Sequence, residues 1–307
     1  MTRIEGVLAP VVTPFGEDLS PDADRLVRHC RWLTGNGVGL APFGTTSEAN
    51  SLSVDERIAL LERLVDAGVD PARMMPGVGC CALPDTVRLT AHAVKLGCAG
   101  VLMLPPFFYK AVSEDGLFRS YAEVIERVAD DRLAAYLYHI PPVSEVSITP
   151  SLIERLLDAY PRVIAGFKDS SGDWAGTKVV LDRFARRGFD VFVGSESFLL
   201  ANLRNGGKGC ISATANVNPA AMHALYAQWT TVDADAVQAR LDAVRSTFQR
   251  YPMIPALKAA TAHFGADAAW RRVRPPLVEL DDVRTAALVA DLRRIGFAAP
   301  GLGCTAD

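Results

Sequence analysis

Lysine is the scarce cation of this 307-residue chain: 6 Lys stand beside 26 Arg. No segment gathers a long basic run, and the formal net charge is −3. Binding to a phosphate backbone needs clustered cations, so the charge pattern argues against a nucleic-acid partner. No apolar run approaches the roughly 18 residues of a membrane span. The N-terminal stretch "MTRIEGVLAPVVTPFGED" is broken by Pro10 and Pro14. It has no basic n-region and no A-x-A-like cleavage site, so no signal peptide is expected. The cysteines, Cys30, Cys80, Cys81, Cys98, Cys210 and Cys304, form no C-x-x-C pair and suggest no disulfide framework. A reducing cytoplasm is the expected location. The five histidines are scattered, with no H-E-x-x-H and no Cys/His cluster, so no metal site is expected.

What is present is a regular alternation of short apolar runs and longer amphipathic ones. Half the residues are apolar and 22% are charged, which fits a globular chain with a large core. "GVLAPVVTPF" precedes the helical pattern "PDADRLVRHCRWLTGNG", and "VGLAPFG" precedes "SVDERIALLERLVDAG", where Ser53 and Glu56 have capping-box spacing. The same order recurs from "RMMPGVGCC", "CAGVLMLPP", "LAAYLYHI", "VIAGFKD", "VFVGSE" and "GKGCISAT". Apolar strands alternating with helices imply a parallel sheet covered by helices. Eight such units at this length predict a (β/α)8 TIM barrel over residues 1–229, with a doubly wound open sheet as the rival. Beyond about residue 230 only helical patterns appear, so 230–307 is expected to be a C-terminal helical extension, a small appendage to the barrel.

In a barrel of this kind the active site lies at the C-terminal ends of the strands. One of the six lysines falls there: "VIAGFKDSSG" is an apolar strand that ends in Lys168. Thr45, Thr46, Ser47 and Glu48 follow the second strand, Tyr138 ends the fifth, and Ser195 and Glu196 end the seventh. An apolar wall disfavours the ammonium form of a lysine and exposes a nucleophilic amine, which can form a Schiff base with a carbonyl substrate. The plainer reading is a structural ion pair of Lys168 with Asp169 or Glu196. Tyr138 alone reads equally as a half-buried aromatic, and the two threonines as turn and cap residues.

Four motifs in chain order resemble the family of Schiff-base aldolases and lyases that includes dihydrodipicolinate synthase and N-acetylneuraminate lyase. "GTTSE" is similar to the family's G-T/S-T-G-E loop, with Ser47 at the usual Gly; "YHIPPVS" is similar to its Y-N-x-P stretch, with His139 at the usual Asn. "GFKDSSGD" resembles the Schiff-base lysine motif, and "LPPFFYKAVSEDGL" the segment that carries a tyrosine toward a neighbouring subunit. The resemblance implies that Lys168 attacks the keto carbon of a pyruvate-like substrate and that Tyr138 shuttles protons. It implies that Thr45 and Thr46 hold the keto-acid carboxylate, with Thr46 also in a proton relay completed by Tyr109 of a partner subunit. Gly194 and the Ile211 carbonyl would flank the lysine and tyrosine. No cofactor is implied, and the assembly implied is a homotetramer, a dimer of dimers.

One departure bears on substrate. Synthases of this family carry an Arg two residues beyond the Pro of the Y-N-x-P stretch, where it binds the second substrate's carboxylate; here Val143 stands there, and an apolar side chain makes no such contact. The expectation is therefore an aldolase or dehydratase acting on a 2-keto(-3-deoxy) acid, with substrate hydroxyls facing Ser195 and Glu196 and with Ser170 beside the lysine. Condensation of pyruvate with aspartate semialdehyde is the alternative, with Lys110 as a substitute cation. Two other classes compete. "GVGCCA" at 77–82 fits a G-x-G-x-x-A dinucleotide fingerprint, but no acidic residue follows between Arg88 and Gly100. A non-catalytic keto-acid-binding protein would not need an amine at the imine position.

Overall fold

The computed structural model describes residues 3–303, so Cys304 lies outside the described residues. Seven parallel strands form one sheet: β1 (Gly6–Ala9), β2 (Gly39–Leu40), β3 (Val101–Met103), β4 (Ala135–His139), β5 (Ile164–Asp169), β6 (Asp190–Val193) and β7 (Gly209–Ile211). They run in the order β2-β1-β7-β6-β5-β4-β3, so the first strand pairs with the last. Helices α1 (Ala23–Gly35), α2 (Val54–Asp66), α3 (Leu83–Lys95) and α4 (Glu114–Val128) follow the first strands. They are succeeded by the short α5 (Pro141–Ser144), then α6 (Pro150–Ala159), α7 (Trp174–Phe184), α8 (Leu199–Arg204) and α9 (Pro219–Ala227).

The third of the eight expected strands is the exception. Residues 74–78 carry only single bridges, Leu40 to Met74 on one side and Gly77 to Leu102 on the other. Pro76 lacks the N–H that a continuous ladder would use. The segment nevertheless joins the two sheet edges: Met75 N donates to Leu40 O at 2.8 Å and Val78 N to Leu102 O at 2.9 Å. The sheet is thus curled, and the fold is a TIM-barrel-like α/β fold. Its interior is a cluster drawing one residue from each strand segment, including Leu8, Met75, Leu102, Tyr136, Phe192 and Ile211. Gly166 makes room for the largest of these, because a Cβ there would lie 2.7 Å from the Tyr136 ring and 2.3 Å from Asp190 O.

Local sequence sets the helix starts. Asp22 caps α1 by accepting from Arg25 N at 2.8 Å. Ser53 and Glu56 form the expected capping box on α2, satisfying two N–H groups the helix leaves open. The glycines of "GVGCCA" are used for packing: a Cβ would meet Phe43 O at 2.2 Å from Gly77 and Leu104 Cβ at 2.5 Å from Gly79.

Three further helices follow residue 230: α10 (Ala234–Phe248), α11 (Met253–Phe264) and α12 (Asp282–Arg294). Val244, Phe248, Leu257, Ala260, Leu288 and Leu292 form a second core, shared with Val12, Ala213 and Val217 from the loops beyond β1 and β7. These helices are therefore seated on the end of the sheet where the strands finish. Among the described residues no helix is long and apolar enough to cross a membrane, and no group of His, Cys, Asp and Glu could hold a metal ion.

Asn216 ties this junction to α1. Its Nδ2 donates to Pro10 O at 3.0 Å and Ala213 O at 2.9 Å, while its Oδ1 accepts from Val12 N at 2.9 Å. Oδ1 is thus an acceptor, so His29, whose Nε2 lies 3.3 Å away, carries its proton on Nε2. The buried Nδ1 has no partner among the described residues. Burial lowers the His29 pKa from 6.5 to about 4. The unfolded chain therefore takes up this proton first, and stability falls as pH drops from about 6.5 to about 4, by on the order of 3 kcal/mol. We predict that the stability difference between wild type and His29→Gln, from urea unfolding, shifts against wild type across that window. A difference constant with pH would contradict this assignment.

Candidate active site

A cavity of about 510 Å³ opens at the C-terminal ends of the strands. Thr45, Thr46, Tyr138, Lys168, Ser170, Gly194, Ser195 and Ile211 all line it. The topology brings them together because each stands at or just beyond the end of a parallel strand.

Lys168 is the penultimate residue of β5, in register with Tyr138 on β4 and Phe192 on β6. Only 3% of its surface is exposed. Its Nζ lies 4.0 Å from the centroid of the Tyr138 ring, and among the described residues it has no hydrogen bond and no ion pair. The two acids that sequence offered as partners are engaged elsewhere. Asp169 accepts from Thr177 Oγ1 and Ser171 N, each at 2.8 Å. Glu196 accepts from the hydroxyls of Ser212 and Thr214. A buried lysine without a counter-charge is rare in a purely structural role.

Tyr138 is buried, and its hydroxyl lies 3.2 Å from Thr45 Oγ1. The turn that presents the threonines is tight: Ser47 N donates to Gly44 O, Glu48 N to Thr45 O, and Thr13 Oγ1 to Ser47 O at 2.7 Å. Neither Thr45 N nor Thr46 N donates to a protein acceptor among the described residues. That leaves two N–H groups free at the cavity wall, which suits an anionic oxygen. Phe43 and Glu48, both with left-handed backbone, bracket this turn. Such geometry in bulky residues persists only where the surroundings hold it.

What holds it is a buried ion pair. Glu48 pairs with Lys258 of α11, and both side chains are fully buried. Glu48 Oε2 also accepts from Arg274 N at 3.0 Å, and Lys258 Nζ donates to Arg272 O at 2.7 Å. The ammonium lies 4.3 Å from the centroid of the Phe15 ring. Burial lowers the Lys258 pKa, opposed by the attraction of Glu48.

Gly194 is required by a close approach. A Cβ there would fall 2.1 Å from Ser170 Oγ and 2.8 Å from Ser170 Cα, where Gly194 N donates to Asp169 O at 2.6 Å. The ends of β5 and β6 can meet beside Lys168 only if this residue lacks a side chain.

One residue expected in this cavity lies elsewhere, and the tyrosine expected at a neighbouring subunit's site is exposed. Glu196 does not line the cavity; it is 1% exposed and turned toward Ser212 and Thr214, because a carboxylate so buried must be hydrogen-bonded. Tyr109 is 71% exposed and packs edge-to-face on Phe108, outside the cavity of its own chain. Val143 lines the cavity mouth. Lys110 does not reach it: its Nζ donates to Phe107 O at 2.7 Å and Ser144 O at 2.8 Å. His139 stacks on Phe167 and its Nδ1 accepts from Ile148 N at 3.1 Å, with its pKa lowered by burial.

Among the lining residues that sequence reasoning missed are Arg245, Gln249, Met253 and Ile254. These four belong to the segment read as an appendage. The helical spacing from Arg245 to Gln249 was visible, but nothing local says which helix face meets a cavity built by other elements.

Fold and site together define a TIM-barrel-like lyase with a solitary amine at its strand ends. Residues 3–295 match the Dihydrodipicolinate synthetase family, and the chain belongs to that family. It is 36% identical over 299 residues to an uncharacterized DapA-like lyase of Chloroflexus aurantiacus, covering 96% of this chain and 98% of that one. The fold matches dihydrodipicolinate synthase from Agrobacterium tumefaciens with a TM-score of 0.88 at 30% identity, over 95% of this chain and 99% of that one. It matches YagE, a prophage protein of the dihydrodipicolinic acid synthase family from E. coli K12 in complex with pyruvate, with a TM-score of 0.88 at 26% identity, over 96% and 99% of the chains. The protein is an enzyme of the pyruvate-type class I aldolase and lyase kind, acting on small keto-acid substrates.

Removing one partner of a buried ion pair leaves the other charge unsolvated, which costs about 3–5 kcal/mol. Glu48→Gln and Lys258→Met should each destabilise the protein by about that amount, and the double variant by clearly less than the sum of the two. Urea unfolding of the three variants checks this; strictly additive losses would show that the two groups do not act as a pair.

Proposed function

We propose that Lys168 forms an imine with the keto carbon of pyruvate or a 2-keto(-3-deoxy) acid, and that the enzyme makes or breaks a carbon–carbon or carbon–oxygen bond next to that imine. The observation that carries this reading is a buried amine with no counter-charge, opening on a cavity beside a paired phenol and hydroxyl. The neutral amine adds to the carbonyl, giving a carbinolamine that loses water to form the imine. The protonated imine then accepts the electron pair of the breaking bond as an enamine. Protonation at carbon and hydrolysis regenerate the amine and release the keto acid. Tyr138, coupled to Thr45, moves the proton at the carbinolamine and at the leaving oxygen. The free N–H groups of Thr45 and Thr46 hold the keto-acid carboxylate, with Thr46 also in the relay. Gly194 and Ile211 frame the reacting carbon, while Ser170 and Ser195 face the rest of the substrate. The pyruvate bound to the YagE relative supports the substrate class.

In this reading the barrel supplies the chemistry, and the helical segment beyond residue 230 completes the cavity through Arg245, Gln249, Met253 and Ile254. Tyr109 reaches the site of a neighbouring subunit in a homotetramer, which accounts for an exposed tyrosine in a family motif. The second reading is condensation of pyruvate with aspartate semialdehyde, favoured by likeness to a named synthase. Val143 at the cavity mouth counts against it.

Pyruvate plus borohydride should leave a reduced adduct on the peptide containing Lys168, read by mass. Turnover of a keto acid without that adduct would overturn the mechanism. Lys168→Ala should abolish turnover, and Lys168→Arg should not restore it, since a guanidinium stays protonated. Tyr138→Phe should lower kcat by roughly 10²- to 10⁴-fold.

A further inference from the structure

Arg245 is the guanidinium among the residues that line the cavity, and neither its position nor its surroundings suit a saturated structural arginine. It stands on α10, which is docked beside the site by Gln238: Gln238 Nε2 donates to Glu196 O at 2.9 Å, and its Oε1 accepts from Leu200 N at 3.1 Å. Arg245 follows seven residues later, two turns along the same helix face. Its Nη1 lies 3.5 Å from Ser212 Oγ and 3.7 Å from Glu196 Oε2, at or beyond the limit of a good hydrogen bond. Its Nε is buried with no partner among the described residues. A buried guanidinium N–H without an acceptor is costly, so the arrangement lacks an acceptor. Glu196, itself fixed by two hydroxyls, keeps the cation in place without satisfying its fork.

Resting on the imine reading above, we propose that Arg245 binds a second carboxylate at the far end of the substrate, so that the enzyme's substrate class is 2-keto acids carrying a distal carboxylate. Pyruvate alone is far too small for a cavity of about 510 Å³. Planar, bidentate donors are the usual partner for a carboxylate in such a place. Val143 is apolar, and Lys110 is committed to two carbonyls, so Arg245 takes the part that neither can. Glu196 acts through Arg245 as a positioning residue.

Borohydride trapping at Lys168 tests this with chain-matched probes: 2-oxoadipate against 2-oxohexanoate, and 2-oxoglutarate against 2-oxopentanoate. In the wild type at least one dicarboxylic acid should half-saturate trapping at roughly 10- to 100-fold lower concentration than its neutral-ended match. Arg245→Met should abolish that preference while leaving pyruvate trapping unchanged, and Arg245→Lys should restore only part of it. Glu196→Gln should weaken the preference without moving pyruvate trapping. Should Arg245→Met not fold, Arg245→Lys decides the matter: a preference left at full strength in that variant would overturn the role of Arg245. Pyruvate trapping with no preference in either pair, or with a preference that survives Arg245→Met, would overturn the role of Arg245 and leave the imine intact. Failure of pyruvate to trap would overturn both.

Discussion

A lysine set among apolar strands, open only to the cavity and with no opposing charge, is the constraint around which this molecule is arranged. Lys168 stands unpaired at the end of β5 because the neighbouring acids are held away from it. Asp169 accepts from Thr177 and Ser171, and Glu196 is bound by Ser212 and Thr214 outside the cavity. Had either turned inward, the amine would be a salt-bridge donor and poor as a nucleophile. The clearance that β6 needs to reach β5 at this level comes from Gly194, and the width needed one layer lower comes from Gly166.

Two buried charge clusters divide the remaining work. The Glu48–Lys258 pair lies behind the threonine turn and joins it to α11, so the backbone of that turn depends on a helix far away in sequence. The Glu196–Arg245 cluster brings Arg245 to the cavity and joins the end of β6 to α10. Neither cluster makes sense as a source of stability alone, since buried ions recover little of their desolvation cost. Both make sense as devices that fix backbone or side-chain geometry at a cavity rim.

Strand periodicity made much of this legible in advance. Seven of the eight expected strands are present, and Lys168, Tyr138 and the threonines share one cavity because residues at the ends of parallel strands must converge. The third strand was legible as an apolar run but not as an interrupted ladder, although Pro76 was in plain view. Glu196 was misplaced because a residue beyond a strand end has no alternation to dictate its facing; only the hydroxyls of Ser212 and Thr214, 16 and 18 residues later, decide it. Arg245 was missed for a related reason. A polar residue on an amphipathic helix reads as solvated unless one knows what the helix is laid against.

The pairing of β1 with β7 has a consequence for how the molecule comes into being. Gly6 and Gly209 are register partners, so the ring of strands has no closure until the chain has been made to that point. A nascent chain at that stage would own the amine and the phenol but not α10 or α11. It would be an open-mouthed precursor, with its threonine turn unsupported and its far wall absent. Contacts of such long sequence separation form late and slowly. Emergence of the final helices from the ribosome is therefore the moment at which an open barrel gains its far wall.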